Sequence, residues 1–418
     1  MSVTLRNTPA WAWVPTISFS QAVPYVAVMM LATVMYKNLD VPNAELAFYT
    51  AWLYLPWVIK PLWSPLVELF GTKRRWIVGL QWLSAVALAS VALSLHLPDF
   101  FRISLALLWL LAFSSATHDI ASDGYYMLGL PERSQQAAFV GVRSAFYKLG
   151  MIAGQGGLVY LAGVLIERHG DAAQAWAVVF GLLALLLLLL GAYHQWVLPR
   201  PATDQPYIAR ANLWAGFVET FRSFFRKPGI GVTLGFLLLY RLGEAQLLKM
   251  AAPFLLDSRA QGGLGLSTAT VGIVYGTVGV AALVLGGIAG GLVIARFGLK
   301  RSLWPMVCIM HIPDLVFVYL AVAQPGDTLL IAAGLAVEQF GYGFGFAAFM
   351  LYMVTVADGQ HKTAHYALCT GFMALGMMLP GMVAGWLQQQ LGYQLFFLWA
   401  CIATLPAFGM TLLVRRAL

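Results

Sequence analysis

The sequence predicts an all-α membrane protein of twelve transmembrane helices, arranged as two six-helix halves. Three observations carry this expectation. Of the 418 residues, 60% are hydrophobic and only 10% are charged, and the mean hydropathy is +0.77. A chain folded in water carries roughly 25% charged residues, so a bilayer must supply much of the solvent. Apolar runs recur along the whole chain, each close to the roughly 20 residues that cross the hydrocarbon core. Finally, the pattern Phe-Gly-x-Lys-Arg stands at Phe70–Arg74 and again, 227 residues later, at Phe297–Arg301. Each copy follows the second run of a set of six.

Taken in order, the first half places its spans at about 11–36, 44–70, 75–97, 103–129, 136–166 and 174–198. The first of these begins near Trp11 and is long enough to span, so it reads as a permanent helix rather than a cleaved leader. The second half places spans at about 229–256, 267–295, 300–322, 327–356, 363–388 and 392–414. The expected division is therefore a first half over 1–198, a linker over 199–228 and a second half over 229–418. Pro199, Pro201 and Pro206 open the linker. Beyond them Leu213, Phe217, Phe221, Phe224 and Phe225 fall at helical spacing opposite Glu219 and Arg222, the pattern of an amphipathic helix at a membrane surface.

The basic residues orient the chain. Sixteen of the 25 Lys and Arg residues lie in alternate connections and both ends: Arg6; Lys73, Arg74 and Arg75; Arg133; Arg200, Arg210, Arg222, Arg226 and Lys227; Arg296, Lys300 and Arg301; Lys362; Arg415 and Arg416. Four stand on the other side, at Lys37, Arg102, Arg168 and Arg259. Cytoplasmic connections are enriched in such residues, so both termini are expected in the cytoplasm of a bacterial inner-membrane protein. The net charge of +8 thus reflects topology, and no nucleic-acid partner is expected. Cys308, Cys369 and Cys401 all fall in apolar runs, at spacings that match no disulfide or metal framework. No cofactor and no metal are expected.

Ionisable residues within the spans point to a pathway, because each costs a few kcal/mol to insert. Lys60 lies in span 2, Asp119 and Asp123 in span 4, Arg143 and Lys148 in span 5. Arg241, Glu244 and Lys249 lie in span 7, Asp314 in span 9 and Glu338 in span 10. Asp119 and Asp123, four residues apart, share a helix face. Two carboxylates in a low dielectric do not both ionise cheaply, so Asp119, Asp123, Glu244 and Glu338 are the candidates for proton coupling, although ion pairing of the first two with Arg143 and Lys148 would explain them as well. Arg241 and Glu244 are spaced to pair along their own helix. His118 and His311 read as hydrogen-bonded core imidazoles.

The two Phe-Gly-x-Lys-Arg turns resemble the signature between helices 2 and 3 of the major facilitator superfamily, Gly-x-Leu-x-Asp-Arg-x-Gly-Arg-Lys. Glu68, Lys73 and Arg74 in one copy, and Arg296, Lys300 and Arg301 in the other, are then expected at the cytoplasmic gate. Both copies are incomplete, with Leu69 where Arg is usual and Ala295 where the acid belongs. Lys60, Arg143, Lys148 and Arg241 lie in spans that line the cavity in the major facilitator superfamily, so the resemblance implies that they would hold an anionic substrate. Further motifs resemble the AmpG muropeptide permeases: Lys60-Pro-Leu-Trp63-Ser64-Pro65, Ala112-Phe-Ser-Ser-Ala-Thr-His-Asp119-Ile-Ala-Ser-Asp123, Tyr147-Lys148-Leu-Gly150, Tyr240-Arg241-Leu-Gly243-Glu244, Glu338 before a glycine, and Ala384-Gly385-Trp386. The family's polar run after the second acid is replaced here by Tyr125-Tyr126-Met127-Leu128. The resemblance implies a proton-driven permease, a monomer in the lipid bilayer, that imports N-acetylglucosamine–anhydro-N-acetylmuramic acid and its peptides for cell-wall recycling. A siderophore or another anionic metabolite is the alternative cargo.

Other classes fit less well. A membrane-embedded acyltransferase could use a lone histidine such as His311, but the chain carries no His-Glu-x-x-His, Gly-x-Ser-x-Gly or P-loop pattern. A sensor would leave the intramembrane charges without a use. The topology is directly testable: a reporter fused after Leu418 should read as cytoplasmic, and a periplasmic reading would overturn the orientation.

Overall fold

A computed structural model of the protein describes residues 8–205, 213–359 and 362–417. Arg6 and Arg210 lie outside the described residues, as do the side chains of Glu68 and Arg133. The spans are α1 Ala10–Asn38, α3 Lys73–Ser94, α4 Phe100–Gly129, α5 Ser134–His169, α6 Ala172–Val197, α8 Thr268–Phe297, α9 Leu299–Ala323 and α10 Thr328–Ala357. A ninth long apolar stretch, Lys362–Arg416, turns at Gly392, whose φ is 70° and ψ 166°. It therefore holds α11 (362–391) and α12 (393–417). The other two spans are each broken in the middle: α2 is Asn43–Trp52 plus Leu55–Leu69, and α7 is Ile230–Leu239 plus Leu242–Leu256. Twelve spans are thus present among the described residues, close to the expected bounds.

The internal repeat extends from sequence to packing. In the first half α5 packs on α1, and α3 packs on α4 and α6; in the second, α11 packs on α7, and α9 on α10 and α12. Each pair sits at the equivalent place in its own set of six. The repeated turn holds its glycine at the same φ in both copies, 76° at Gly71 and at Gly298. Only glycine adopts that conformation without strain, which accounts for its recurrence.

The chain forms two compact units: the described parts of Met1–Met35 with Leu62–Ala211, and Tyr36–Pro61 with Asn212–Leu418. Tyr36–Pro61, the end of α1 and most of α2, thus clusters with the second set of helices. Small residues allow this. A side chain at Gly385 of α11 would put its Cβ 2.0 Å from the Asn43 carbonyl oxygen and 2.8 Å from Ala47 Cβ. The linker helix, Leu213–Phe225, belongs to the second unit too. Its Phe224 is fully buried and stacks on Phe372 of α11 with ring centroids 6.3 Å apart, so protein covers this part of its apolar face.

Within the second unit, α8 and α10 approach closely enough that glycine is required on both. A Cβ at Gly286 would lie 2.0 Å from the Phe340 oxygen, and one at Gly343 2.0 Å from the Leu283 oxygen, whereas Gly291 has nothing within 4 Å. Small residues at helix contacts let backbones pack where hydrophobic drive is absent. Gly343→Ala should therefore destabilise the fold by about 1–3 kcal/mol and lower the melting temperature of the purified protein, while Gly291→Ala leaves it unchanged. Equal melting of the two variants would contradict this packing.

Candidate functional site

The first unit brings three of the expected residues together. α4 presents Asp119 and Asp123 one turn apart, α5 presents Arg143, and α1 supplies Gln21. The Arg143 guanidinium pairs with Asp123, lies 5.1 Å over the Tyr126 ring and donates to Gln21 Oε1 at 3.4 Å. Gln21 in turn donates from Nε2 to Asp119 Oδ1 at 3.4 Å. Gln21 therefore bridges base and acid, a role its sequence position did not reveal. The Arg143 and Asp123 side chains remain 28% and 52% exposed, so the pair can reach a ligand. Lys148 is half-buried beside Met151. α5 sits this close to α1 because a Cβ at Gly150 would meet Ala22 Cβ at 2.7 Å. The two helices also bring together their π-turns, Ala27–Leu31 and Ala153–Leu158, a feature frequent at functional sites.

His118 belongs to a separate, buried network. Its Nε2 lies 3.3 Å from Gln81 Nε2, Gln81 donates to Ser20 at 2.8 Å, and Gln81 Oε1 is 2.9 Å from His194 Nδ1. The reading of His118 as a core imidazole fits this placement.

At the first repeated turn, an acid that the sequence reading passed over does the anchoring. Asp204, from the linker, accepts from the Lys73 and Arg74 backbone N–H groups at 2.8 and 3.1 Å. A carboxylate at the start of α3 satisfies donors that the helix cannot, and it complements the helix dipole. The Lys73 stem runs against α4, where a Cβ at Gly124 would come 2.4 Å from its Cε. Arg74 donates to the Leu198 carbonyl at 3.3 Å. At the second copy Arg296, Lys300 and Arg301 are exposed, with the Arg296 guanidinium 5.5 Å over Phe297.

The second unit holds a polar lock at the α1–α2 connection. Asp257, at the end of α7, accepts from Lys37 Nζ at 2.5 Å, Asn43 Nδ2 at 3.1 Å and the Tyr393 hydroxyl at 2.6 Å. Asn43 also donates to Gln388 Oε1 at 2.9 Å. These contacts tie Tyr36–Pro61 to α7, α11 and α12. Lys60, further along α2, is half-buried.

Four other buried ionisable residues of this unit, Arg241, Glu244, Asp314 and Glu338, are grouped with two helix interruptions. α7 breaks at Tyr240 and Arg241, and α9 turns through a single 3-10 turn at Ile312–Asp314 that contains Pro313. The break leaves the Tyr240 carbonyl facing His311 Nε2 at 3.1 Å. Arg241 does not pair along its helix with Glu244; it donates to the Tyr342 hydroxyl and stacks on Tyr342 and Phe346. Glu244 and Glu338 are fully buried and Asp314 nearly so. Glu338 accepts from Gln339 Nε2 at 3.0 Å. Asp314 Oδ2 lies 3.4 Å from His311 Nδ1. Glu244 thus acquires two neighbours, Asp314 and His311, that the separation of α7 and α9 in sequence concealed.

Residues 16–312 match the family model described as Major Facilitator Superfamily, well over half of the chain. The chain belongs to the major facilitator superfamily. Among curated relatives of this superfamily member, the anhydromuropeptide permease of Escherichia coli strain K12 is 28% identical over 369 residues, covering 87% of this chain and 71% of that protein. A putative transporter AmpG 4 of Rickettsia conorii is 26% identical, covering 92% and 91%. Among solved structures, the nucleoside transporter NupG superposes with a TM-score of 0.72 at 14% identity, covering 95% of this chain and 98% of that one. A bacterial homolog of the human lysosomal transporter Spinster gives 0.70 at 16%, covering 97% and 96%. At such identities these two establish the fold. The chain is therefore a multi-pass membrane transporter.

The lock at Asp257 makes a direct prediction. Ala47 is fully buried on α2. In a variant with the three native cysteines replaced, a cysteine in place of Ala47 should react slowly with maleimide. Adding Asp257→Ala should speed that labelling at least about tenfold, since stranding one partner of a buried ion pair costs about 3 kcal/mol or more. Unchanged labelling would show that Asp257 does not hold this segment.

Proposed function

We propose that this transporter is a proton-coupled importer of anhydromuropeptides, N-acetylglucosamine–anhydro-N-acetylmuramic acid and its peptides, acting by alternating access in the bacterial inner membrane with both termini cytoplasmic. The observation that carries the reading is the half-exposed Arg143 held between Asp123, Gln21 and Tyr126. A guanidinium presented in this way matches the planar carboxylate of a muramyl ring substituent or stem peptide. The 28% identity to the anhydromuropeptide permease over 87% of the chain supports that cargo.

Arg143, Lys148, Lys60 and Arg241 are assigned to the substrate anion. Asp119 and Asp123 compete with that anion for Arg143, while Glu244 and Glu338 are buried acids suited to carry a proton. Substrate that takes Arg143 frees Asp123 and favours its protonation, and protonation favours substrate in turn; the two effects are equal by linkage. Lys73, Arg74, Arg296, Lys300 and Arg301, with Glu68, are assigned to the cytoplasmic gate.

Proteoliposomes with an imposed inward proton gradient should accumulate the radiolabelled disaccharide, recovered unchanged, and a protonophore should abolish the accumulation. Arg143→Ala should weaken binding about tenfold to a hundredfold, the worth of a charge-assisted hydrogen bond. Asp123→Asn should impair accumulation but retain part of the counterflow. Accumulation that survives collapse of the gradient would remove proton coupling. Uptake of siderophores but not of the disaccharide would replace the cargo.

A further inference from the structure

Glu244 on α7 and Asp314 and His311 on α9 have carboxylate and imidazole atoms within 4.8 Å of one another. None is more than 3% exposed. Both oxygens of Glu244 and Oδ1 of Asp314 lack a donor among the described residues, although the two carboxylates approach within 4.8 Å of each other. Two buried carboxylates this close do not both ionise cheaply, so one of them carries a hydrogen.

The imidazole leads to a second proton. The Tyr240 carbonyl can only accept, so His311 Nε2 bears hydrogen. Nδ1 then faces Asp314 Oδ2 at 3.4 Å. Whether His311 is imidazolium beside a carboxylate, or neutral beside a carboxylic acid, a proton lies on the line between Nδ1 and Oδ2.

Charge balance gives the same count. Glu338, on α10, also interacts with Glu244 and Asp314. Against three acids the nearby fixed cation is Arg241, three residues before Glu244 on α7. The other titratable groups facing the cluster are neutral phenols and a thiol: Tyr275 of α8, Tyr342 of α10 and Tyr54 of α2, with Cys401 of α12. Three ionised acids and one guanidinium would leave two uncompensated charges in a low dielectric, which proteins avoid by neutralisation. Two protons bring the cluster to zero.

We propose that Glu244, Asp314 and His311 form the proton-storage site of this transporter, holding one proton between the two carboxylates and one between Asp314 and the imidazole. This deepens the proton-coupling reading above, and its test uses no substrate, so the two can fail separately. Release of either proton leaves an unpaired buried charge, so exchange requires the breaks in α7 and α9 to open toward water.

The test is infrared spectroscopy of the full-length protein in lipid at neutral pH. The wild type should show a protonated carboxylic C=O stretch that shifts on transfer to deuterium oxide. Glu244→Gln should remove that component and Asp314→Asn should shift or remove it, whereas Asp123→Asn should leave it in place. Absence of the band in the wild type, which needs no variant to fold, overturns the proposal. So does a band lost in Asp123→Asn and kept in Glu244→Gln. Loss of the band on adding sodium or zinc at constant pH would make this a metal-cation site and would equally overturn it.

Discussion

In the hydrocarbon core there is no water to complete a hydrogen bond or solvate a charge, so each buried polar group must find its partner within the protein. The rest of the structure follows from that constraint. It requires helices for the spans. It restricts irregular backbone to places where a side chain can use the freed groups, as His311 uses the Tyr240 carbonyl at the α7 break. Outside the core the same accounting holds locally: Asp204 is drawn back onto the first turn of α3, where two N–H groups need an acceptor.

The two units meet the constraint in different ways. In the first, acid and base neutralise each other: Arg143 pairs with Asp123 and, through Gln21, reaches Asp119. That arrangement is partly exposed and can exchange one anion for another. In the second, Glu244, Asp314 and Glu338 outnumber Arg241, and Arg241 itself is turned toward Tyr342. A deficit of fixed cations makes mobile ones necessary. On the proposed function, one unit holds the substrate anion and the other the proton that accompanies it.

Much of this was legible in the sequence and some was not, for a common reason. Span positions depend on local hydropathy, and the repeated turn depends on a glycine with positive φ at positions 71 and 298; both are short-range signals. Gly150, Gly243 and Gly385 stood in recognisable motifs, but their contacts with α1, α12 and α2 are tertiary. Asp119, Asp123 and Arg143 were expected near one another because acids and bases in adjacent spans tend to pair. Asp314 and His311 become neighbours of Glu244 only where the turn in α9 comes up to the break in α7, and no spacing in the chain encodes that. Lys37, Asn43 and Asp257 fall just beyond the span ends in the sequence, and their joining depends on Tyr36–Pro61 packing with the second set of helices.

The central claim is that substrate and proton occupy one linked system. The most direct measurement is titration calorimetry of the purified protein with N-acetylglucosamine–anhydro-N-acetylmuramic acid, repeated at one pH in buffers of different ionisation enthalpy. The account predicts that the observed enthalpy varies linearly with the buffer's, with a slope corresponding to net proton uptake on binding. Binding with the same enthalpy in every buffer would contradict it.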